Sequence, residues 1–237
     1  MEGRFSRVHC SGHGEWLEER LKRIQASEAA AVLGLSPWTS SAELYDLKTG
    51  RAQPKDISKK PYIIYGHEAE RPIREMFLLD NPYFQSEYYP YDILVSKTAP
   101  FLGATLDGEL EVVSDDNPWG LRAGTHGIYE GKTGTFRKEG DLAAWNGRDS
   151  YIPPHYYSQV LHQLLVTGWD FVILNARLRR MPFCESDGGF PEIRCFTRMV
   201  ERTDPQVRND MMTLYKAEKR FWLSVEERRR PSRRLAI

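Results

Sequence analysis

Two short segments constrain the fold of this chain more than any other feature. Residues 103–108 (Gly-Ala-Thr-Leu-Asp-Gly) carry Asp107, and residues 128–132 (Ile-Tyr-Glu-Gly-Lys) carry Glu130 and Lys132. On a β-strand, residues i and i+2 point to the same face of the sheet. Glu130 and Lys132 can therefore face one pocket, and a neighbouring strand can bring Asp107 to it.

This combination of side chains suggests a chemistry. Carboxylates are the ligands that Mg²⁺ prefers, and a bound metal ion lowers the pKa of its water, which suits hydrolysis of a phosphodiester. An ammonium group can orient that water or stabilise the charge that develops on the phosphate. A solvated hairpin would show the same spacing by chance, because Asp, Glu and Lys are common residues. The rest of the sequence has to decide between the two interpretations.

The order of apolar patterns along the chain predicts an α/β protein. Helical patterns cover residues 16–33 (with Ser27 as an interrupting cap), 40–47, 155–167 and 205 to about 225, and another helix is expected to begin at Gly66. Strand patterns cover residues 87–95, 101–113, 128–132, 171–178 and 193–196. Loops are expected at 51–61, at 114–127 and around Asp187-Gly188-Gly189, and Pro72 is expected in the first turn of its helix or at a kink. These elements predict a central mixed β-sheet flanked by helices.

Composition narrows the class of protein. The chain has 237 residues, of which 41% are hydrophobic and 28% charged, as expected of a globular protein. No apolar run approaches the roughly 20 residues that span a membrane, the N-terminus lacks the apolar core of a signal peptide, and three cysteines are too few for a disulfide framework. We expect an intracellular protein with no membrane contact. It divides into a tail over residues 1–15, one domain over 16–227 and a basic tail over 228–237.

Charge is distributed unevenly, although the net formal charge is zero. Residues 216–237 contain eight Lys or Arg and three Glu, an excess of five positive charges. Such an end suits contact with phosphate groups. A solvated helix followed by a frayed tail explains it equally well.

Further motifs occur in a fixed order along the chain. They are Trp16-x-x-x-Arg20-x-x-x-Ile24-x-Ala26-Ser27-Glu28, Gly66-x-x-x-Glu70, Tyr156-x-x-Gln159-Val160 with Val166-Thr167-Gly168, and the cap at Asp204-Pro205. With the two opening segments, they make the chain resemble the lambda-exonuclease/YqaJ family of viral recombination nucleases, which has the PD-(D/E)XK nuclease fold. The resemblance runs from about Trp16 to the last helix.

The resemblance implies a role for each matching residue. The implied metal ligands are Asp107, Glu130, the carbonyl of Gly131, and Glu70 at a second metal or its water. Lys132 is the implied catalytic lysine, and Gln159 is the implied brace of the active site. Arg20, Ser27 and Thr105 fall where the family binds a 5′-phosphate, and an arginine with two hydroxyls suits a phosphate dianion. The chain departs from the family pattern at Leu106, where a Pro or small residue is usual, and at Gly131, where an apolar residue is usual.

The function implied by the resemblance is a metal-dependent deoxyribonuclease, a 5′→3′ exonuclease acting on double-stranded DNA ends. It would use Mg²⁺, with Mn²⁺ as a substitute, and make single-stranded tails for a single-strand annealing protein of a phage or prophage in the bacterial cytoplasm. A homotrimer is the implied assembly. Two alternatives stay open: an endonuclease of the same fold, and a non-catalytic DNA-binding or scaffold protein with a decayed site.

Overall fold

The computed structural model describes residues 3–146, 151–181 and 192–231 of the chain. Within these ranges the helices are α1 (His13–Leu21), α2 (Ala29–Val32), α3 (Ser41–Lys48), α4 (Pro61–Asp80), α5 (Pro154–Thr167) and α6 (Pro205–Glu226). The strands are β1 (Phe5–His9), β2 (Ile24–Gln25), β3 (Phe84–Glu87), β4 (Asp92–Ser96), β5 (Leu102–Ala104), β6 (Gly108–Val112), β7 (His126–Phe136), β8 (Phe171–Arg180) and β9 (Ile193–Glu201).

The strands form two mixed sheets. The larger sheet has the order β3-β6-β7-β8-β9, with β7 and β8 parallel and the other pairs antiparallel. The smaller sheet has the order β1-β4-β5-β2, with only β5 and β2 parallel. The α/β class with a mixed sheet between helices is confirmed, and the second sheet is an addition to the predicted architecture.

Helix α5 joins the two sheets. It packs against α2 and α6 and against strands of both sheets, namely β4, β5 and β8. Pro154 occupies the first turn, and the left-handed Gly168 (φ 66°) ends the helix as its C-cap. The apolar face of α5, including Val160 and Leu164, lies in the main hydrophobic core. Side chains on its other faces are therefore held at fixed positions next to β7.

Two short connections carry the chain directly between the sheets. The first crossing, residues 88–91, leads from β3 to β4, and the second crossing, residues 105–107, leads from β5 to β6. The sequence pattern predicts one strand through each of them, over 87–95 and 101–113, and both predictions are wrong at the crossings. Pro90 fits a break, since proline is excluded from strand interiors. Asp107 consequently lies at the end of a crossing and not within a strand.

Other boundaries also differ from the sequence prediction. Residues 5–9 of the expected N-terminal tail form β1, which pairs with β4 some 85 residues away, a pairing that no local pattern reveals. The helix expected over 16–33 is interrupted where β2 pairs with β5. Helix α4 begins at Pro61 and not at Gly66, so Pro72 lies in its interior on an exposed face.

The C-terminal helix agrees with its predicted bounds. Asp204 accepts hydrogen bonds from the backbone N–H groups of Gln206 and Val207, as an N-cap does.

Of the predicted basic tail, Arg230 forms an ion pair with Asp46 of α3, and residues 232–237 lie outside the described residues. The predicted loop around Asp187 and one of the three cysteines, Cys184, also lie outside them. None of the described helices combines the length and apolarity needed to cross a membrane.

Candidate active site

The end of β6 and the middle of β7 bring Asp107 and Glu130 together. Gly108 pairs with Tyr129, so Asp107 comes just before the first paired residue of β6 and next to Glu130. The backbone N–H of Gly131 donates a hydrogen bond of 2.9 Å to Asp107 Oδ2. Because the N–H and C=O of a strand residue point to the same side, the carbonyl of Gly131 faces the same region.

Glu130 is held by two glutamines of α5. Its side chain is almost completely buried, with 1% of its surface exposed. Gln159 Nε2 donates to Glu130 Oε1 at 2.6 Å, and Gln163 Nε2 donates to Oε2. These two glutamines are one helical turn apart, so one face of α5 fixes both oxygens of the carboxylate.

Lys132 points to the same place as Glu130, as the i, i+2 spacing predicts. Its Nζ forms an ion pair with Glu130 Oε1 and lies 5.3 Å from the centre of the Tyr156 ring. Burial alone would lower the pKa of Lys132, but the carboxylates of Glu130 and Asp107 outweigh it and raise that pKa. The ammonium group therefore stays charged. Asp107, Glu130 and Lys132 are called the carboxylate site below.

The two carboxylates repel each other. Burial and then the charge of Glu130 raise the pKa of Asp107 well above its usual range, against the opposing effect of Lys132. Asp107 Oδ1 accepts no hydrogen bond from any residue in the described ranges. A cation at this point would offset the repulsion that the lysine leaves uncompensated.

Glu70 lies on α4, on the other side of β7 from α5. Burial raises the pKa of Glu70, Arg74 opposes this, and the charge of Glu130 adds to it. One turn further along α4, Arg74 Nη1 donates to the backbone carbonyl of Asp107. Helix α4 thus places one acid within electrostatic reach of the carboxylate site and anchors the second crossing with an arginine.

The donor set of the carboxylate site fits a divalent cation that prefers oxygen ligands. It comprises the carboxylates of Asp107 and Glu130 and the carbonyl of Gly131. No group of three or more His, Cys, Asp or Glu side chains among the described residues is gathered as a metal site. The role of Glu70 at a second metal or its water therefore stays a prediction.

The residues proposed for a 5′-phosphate also meet in space. Arg20 Nη2 donates to Ser27 Oγ at 3.1 Å, and its guanidinium lies 4.3 Å from the centre of the Trp16 ring. The Trp16 indole N–H donates to Thr105 Oγ1 at 2.9 Å. Thr105 Oγ1 donates in turn to the carbonyl of Asp92 at 3.0 Å, so its proton is already committed. Thr105 supports Trp16 beneath Arg20. These four residues, Trp16, Arg20, Ser27 and Thr105, are called the arginine pocket.

A buried lysine contacts the backbone of the arginine pocket. Lys48 Nζ has no exposed side-chain surface, pairs with Glu28 Oε2 at 2.6 Å and donates to the carbonyl of Arg20 at 2.9 Å. Burial lowers the pKa of Lys48, Glu28 opposes this, and the charge of Arg20 lowers it further. Arg20 of the pocket and Lys48 beside it are two cations next to one acid, Glu28, and this excess of positive charge favours an anion.

Sequence reasoning missed Gln163 and Arg74. Each lies four residues after a predicted site residue on the same helix, Gln163 after Gln159 and Arg74 after Glu70. Residues four apart share a helix face, so this spacing was the available signal. The sequence places Trp16 in a motif, and the structure shows that its ring supports Arg20.

Comparisons with known proteins identify a family for this chain. Residues 15–170 match the family model of the YqaJ-like viral recombinase domain. The chain is 28% identical over 208 residues to the uncharacterized protein YqaJ of Bacillus subtilis (strain 168), covering 88% of this chain and 54% of that protein. It thus spans about half the length of this curated relative.

The fold is similar to that of a solved exonuclease. The alkaline exonuclease LHK-Exo from Laribacter hongkongensis superposes with a TM-score of 0.57 at 18% identity, covering 92% of this chain and 97% of that one. The structure of LHK-Exo in complex with dAMP gives the same TM-score at 17% identity. This likeness shows a PD-(D/E)XK-like fold. The family model matches more than half of the residues of this chain, which therefore belongs to the YqaJ-like viral recombinase domain family.

Proposed function

We propose that this protein is a metal-dependent deoxyribonuclease that resects double-stranded DNA ends in the 5′→3′ direction. The observation that carries the proposal is the convergence of Asp107, Glu130 and Lys132, with Gln159 and Gln163 fixing the central carboxylate. Membership of a viral recombinase family and the fold shared with an alkaline exonuclease support a nuclease.

The residues of the site divide the chemistry between them. Asp107, Glu130 and the carbonyl of Gly131 would hold Mg²⁺ or Mn²⁺, which when bound supplies an activated water and stabilises negative charge on the phosphate. Lys132 offers an ammonium to the attacking water or to a phosphate oxygen. The glutamines keep Glu130 in one orientation, so little reorganisation is needed during the reaction.

The arginine pocket would select the DNA end. Arg20 and Ser27 offer donors to a 5′-phosphate, and Trp16, supported by Thr105, holds the guanidinium in place. Charged hydrogen bonds to phosphate are stronger than neutral ones. Recognition of a terminal phosphate favours an end-dependent exonuclease over an endonuclease.

The biological setting belongs to the same proposal. We place the protein in the cytoplasm of a bacterium carrying a phage or prophage, where its single-stranded product would pass to an annealing protein. A homotrimer around the DNA would keep the enzyme on its substrate. Contacts to DNA would be mainly to phosphates, so binding should weaken steeply with salt.

One experiment separates the proposal from its alternatives. Linear duplexes labelled at either the 5′ or the 3′ end, and a covalently closed circle of the same sequence, are incubated with and without Mg²⁺. We expect Mg²⁺-dependent loss of the linear substrate from its 5′ ends and an intact circle. The variant Lys132→Ala serves as a control for contaminating nucleases.

Each other outcome supports a different function. Cleavage of the closed circle would identify an endonuclease. Early release of the 3′ label as a mononucleotide would identify an exonuclease that digests in the 3′→5′ direction. DNA binding without cleavage under Mg²⁺ and Mn²⁺ would identify a non-catalytic protein and contradict the proposal.

A further inference from the structure

The two crossings between the sheets lie side by side. Glu87, at the end of β3, pairs with Glu109 of β6, and Leu94 of β4 pairs with Ala104 of β5. The first crossing therefore runs along the second from Gly108 back towards Thr105. Asp107, the last residue of the second crossing, is thus a neighbour of residues 88–91.

The first crossing, Tyr88-Tyr89-Pro90-Tyr91, contains three exposed tyrosines. They expose 43%, 38% and 41% of their surface in sequence order. Tyr89 is already engaged, because Arg7 lies 4.3 Å from its ring centre and its hydroxyl donates to Glu87. Tyr88 and Tyr91 differ from Tyr89 in their neighbours, which belong to or adjoin the carboxylate site and the arginine pocket.

Tyr88 borders the carboxylate site. The guanidinium of Arg74 lies 4.3 Å from its ring centre and also donates to the carbonyl of Asp107. Burial raises the pKa of Tyr88, and the nearby charges of Glu70 and Asp107 raise it further. The ring is thus linked through one arginine to the residue that carries a catalytic carboxylate.

Tyr91 borders the arginine pocket. Its ring centre lies 6.3 Å from that of Trp16 and 6.2 Å from that of His13, at steep angles in both cases. Trp16 is the residue that supports Arg20. Tyr88 and Tyr91 together therefore extend from the arginine pocket to the carboxylate site.

The backbone of Tyr91 is strained. Its φ is +64°, and Arg228 is the only other described residue besides glycines with a positive φ. A glycine would meet the requirement of this turn without strain. Backbone strain of this kind concentrates at functional sites. The Tyr91 ring is therefore expected to provide an interaction that the turn itself does not need.

We propose that Tyr88 and Tyr91 form a stacking platform for unpaired nucleobases at the end of the DNA strand that enters the carboxylate site. The inference rests on the proposed function and adds a base-binding subsite between the arginine pocket and the metal ligands. Aromatic rings stack on any of the four bases, so the platform would favour open ends without sequence preference. Stacking would offset the cost of opening the terminal base pairs.

The test uses duplexes with 2-aminopurine at the first or second nucleotide of the 5′-phosphorylated strand, bound to the full chain in EDTA so that no cleavage occurs. We expect wild type to quench the fluorophore. Tyr88→Phe and Tyr91→Phe should quench it as well, because they keep the aromatic ring. Tyr88→Leu and Tyr91→Leu should each lose quenching and bind about 5- to 150-fold more weakly. Tyr89→Leu, in the same segment, is the matched control and should bind like wild type.

An abasic nucleotide at the same position tests the platform without any substitution. Replacing the base by an abasic nucleotide should weaken binding by wild type as much as each leucine substitution weakens binding to the normal end. The leucine variants should bind the abasic end and the normal end with equal affinity. Equal affinity of wild type for both ends, or unchanged quenching in the leucine variants, overturns the proposal. So does a change of oligomeric state in the leucine variants by light scattering, which would assign the tyrosines to an interface between copies.

The same experiment separates this inference from the proposed function. Quenching in EDTA by a protein that cleaves no DNA under Mg²⁺ or Mn²⁺ would retain the platform and contradict the nuclease. Cleavage of linear ends without quenching would retain the nuclease and contradict the platform.

Discussion

The carboxylate site and the arginine pocket are built in opposite ways. Glu130 is buried and receives hydrogen bonds or an ion pair from three side chains of the protein. Arg20, by contrast, makes one side-chain hydrogen bond, to Ser27, among the described residues, and otherwise rests on the Trp16 ring. The first site is organised before any substrate arrives, whereas the second keeps donors available for a ligand.

This difference matches the two tasks that we propose. A catalytic group gains from being fixed in advance, because reorganisation would add to the activation barrier. A binding group gains from unsatisfied donors, because each one adds to affinity. The second crossing links the two, since Thr105 supports the pocket and Asp107 belongs to the carboxylate site.

The largest effect is expected from Lys132→Ala. Removing a charged donor that acts in the transition state should lower kcat by about 10²–10³-fold, with little change in DNA binding. The fold should persist, because the glutamines still hold Glu130. Turnover, DNA binding and thermal unfolding are measured, and Lys97→Ala, a substitution of an exposed lysine, is the control. A kcat within about threefold of wild type would remove Lys132 from the mechanism.

Asp107→Asn should weaken metal binding. An amide is a poorer Mg²⁺ ligand than a carboxylate, so the loss of affinity should exceed the roughly 10- to 100-fold that a lost outer-shell partner causes. Calorimetric titration with Mg²⁺ measures it. Unchanged affinity would mean that Asp107 is not a ligand.

The same variant makes a prediction about pH. A carboxyl whose pKa is raised by folding contributes stability below its unfolded pKa of about 3.9 and loses it as pH rises through the folded value. The free energy of unfolding of metal-free wild type, taken relative to that of Asp107→Asn, should therefore fall as pH rises over the acidic range. Chemical denaturation in EDTA at several pH values tests this. If the free energy of unfolding changes with pH in the same way for both proteins, folding does not raise the pKa of Asp107.

The residues of the carboxylate site are the most predictable part of the molecule. The spacing of Glu130 and Lys132 places both on one face of a strand, and no distant contact is needed to see it. The end of α5 at Gly168 and the cap of α6 at Asp204 are likewise local signals. Each depends on residues within one turn or one strand.

What the sequence could not predict depends on distant partners. The strand β1 exists because β4 offers it an edge, and the crossings exist because neighbouring strands belong to different sheets. The strand propensity of residues 101–113 continues through Asp107, and only tertiary contacts show where the strand ends. The support of Arg20 by Trp16 and Thr105 also depends on residues about 90 positions apart.

Arg20→Ala tests the other half of the comparison. A charged hydrogen bond contributes roughly 1.5–3 kcal/mol, so wild type should prefer 5′-phosphorylated ends over 5′-hydroxyl ends by about 10- to 150-fold. The variant should lose most of this preference and keep the slower reaction on hydroxyl ends.

Matched duplexes that differ only in the terminal phosphate provide the measurement. Arg23→Ala, whose side chain pairs with Glu19, is the control at the end of α1. Equal rates on both ends in wild type, or an unchanged preference in Arg20→Ala, would contradict the pocket and favour the endonuclease.

The smallest effects are expected from the two glutamines that brace Glu130. Gln159→Ala should lower activity about tenfold, as the loss of an outer-shell partner does. Gln163 is completely buried, so Gln163→Ala should also lower the free energy of unfolding by about 1–3 kcal/mol. Gln85, which bonds Glu111 at 3.0 Å on the exposed surface, supplies the control Gln85→Ala. If both active-site variants behave like this control, Glu130 does not depend on α5 for its orientation, and the contrast between a fixed site and an open pocket would be lost.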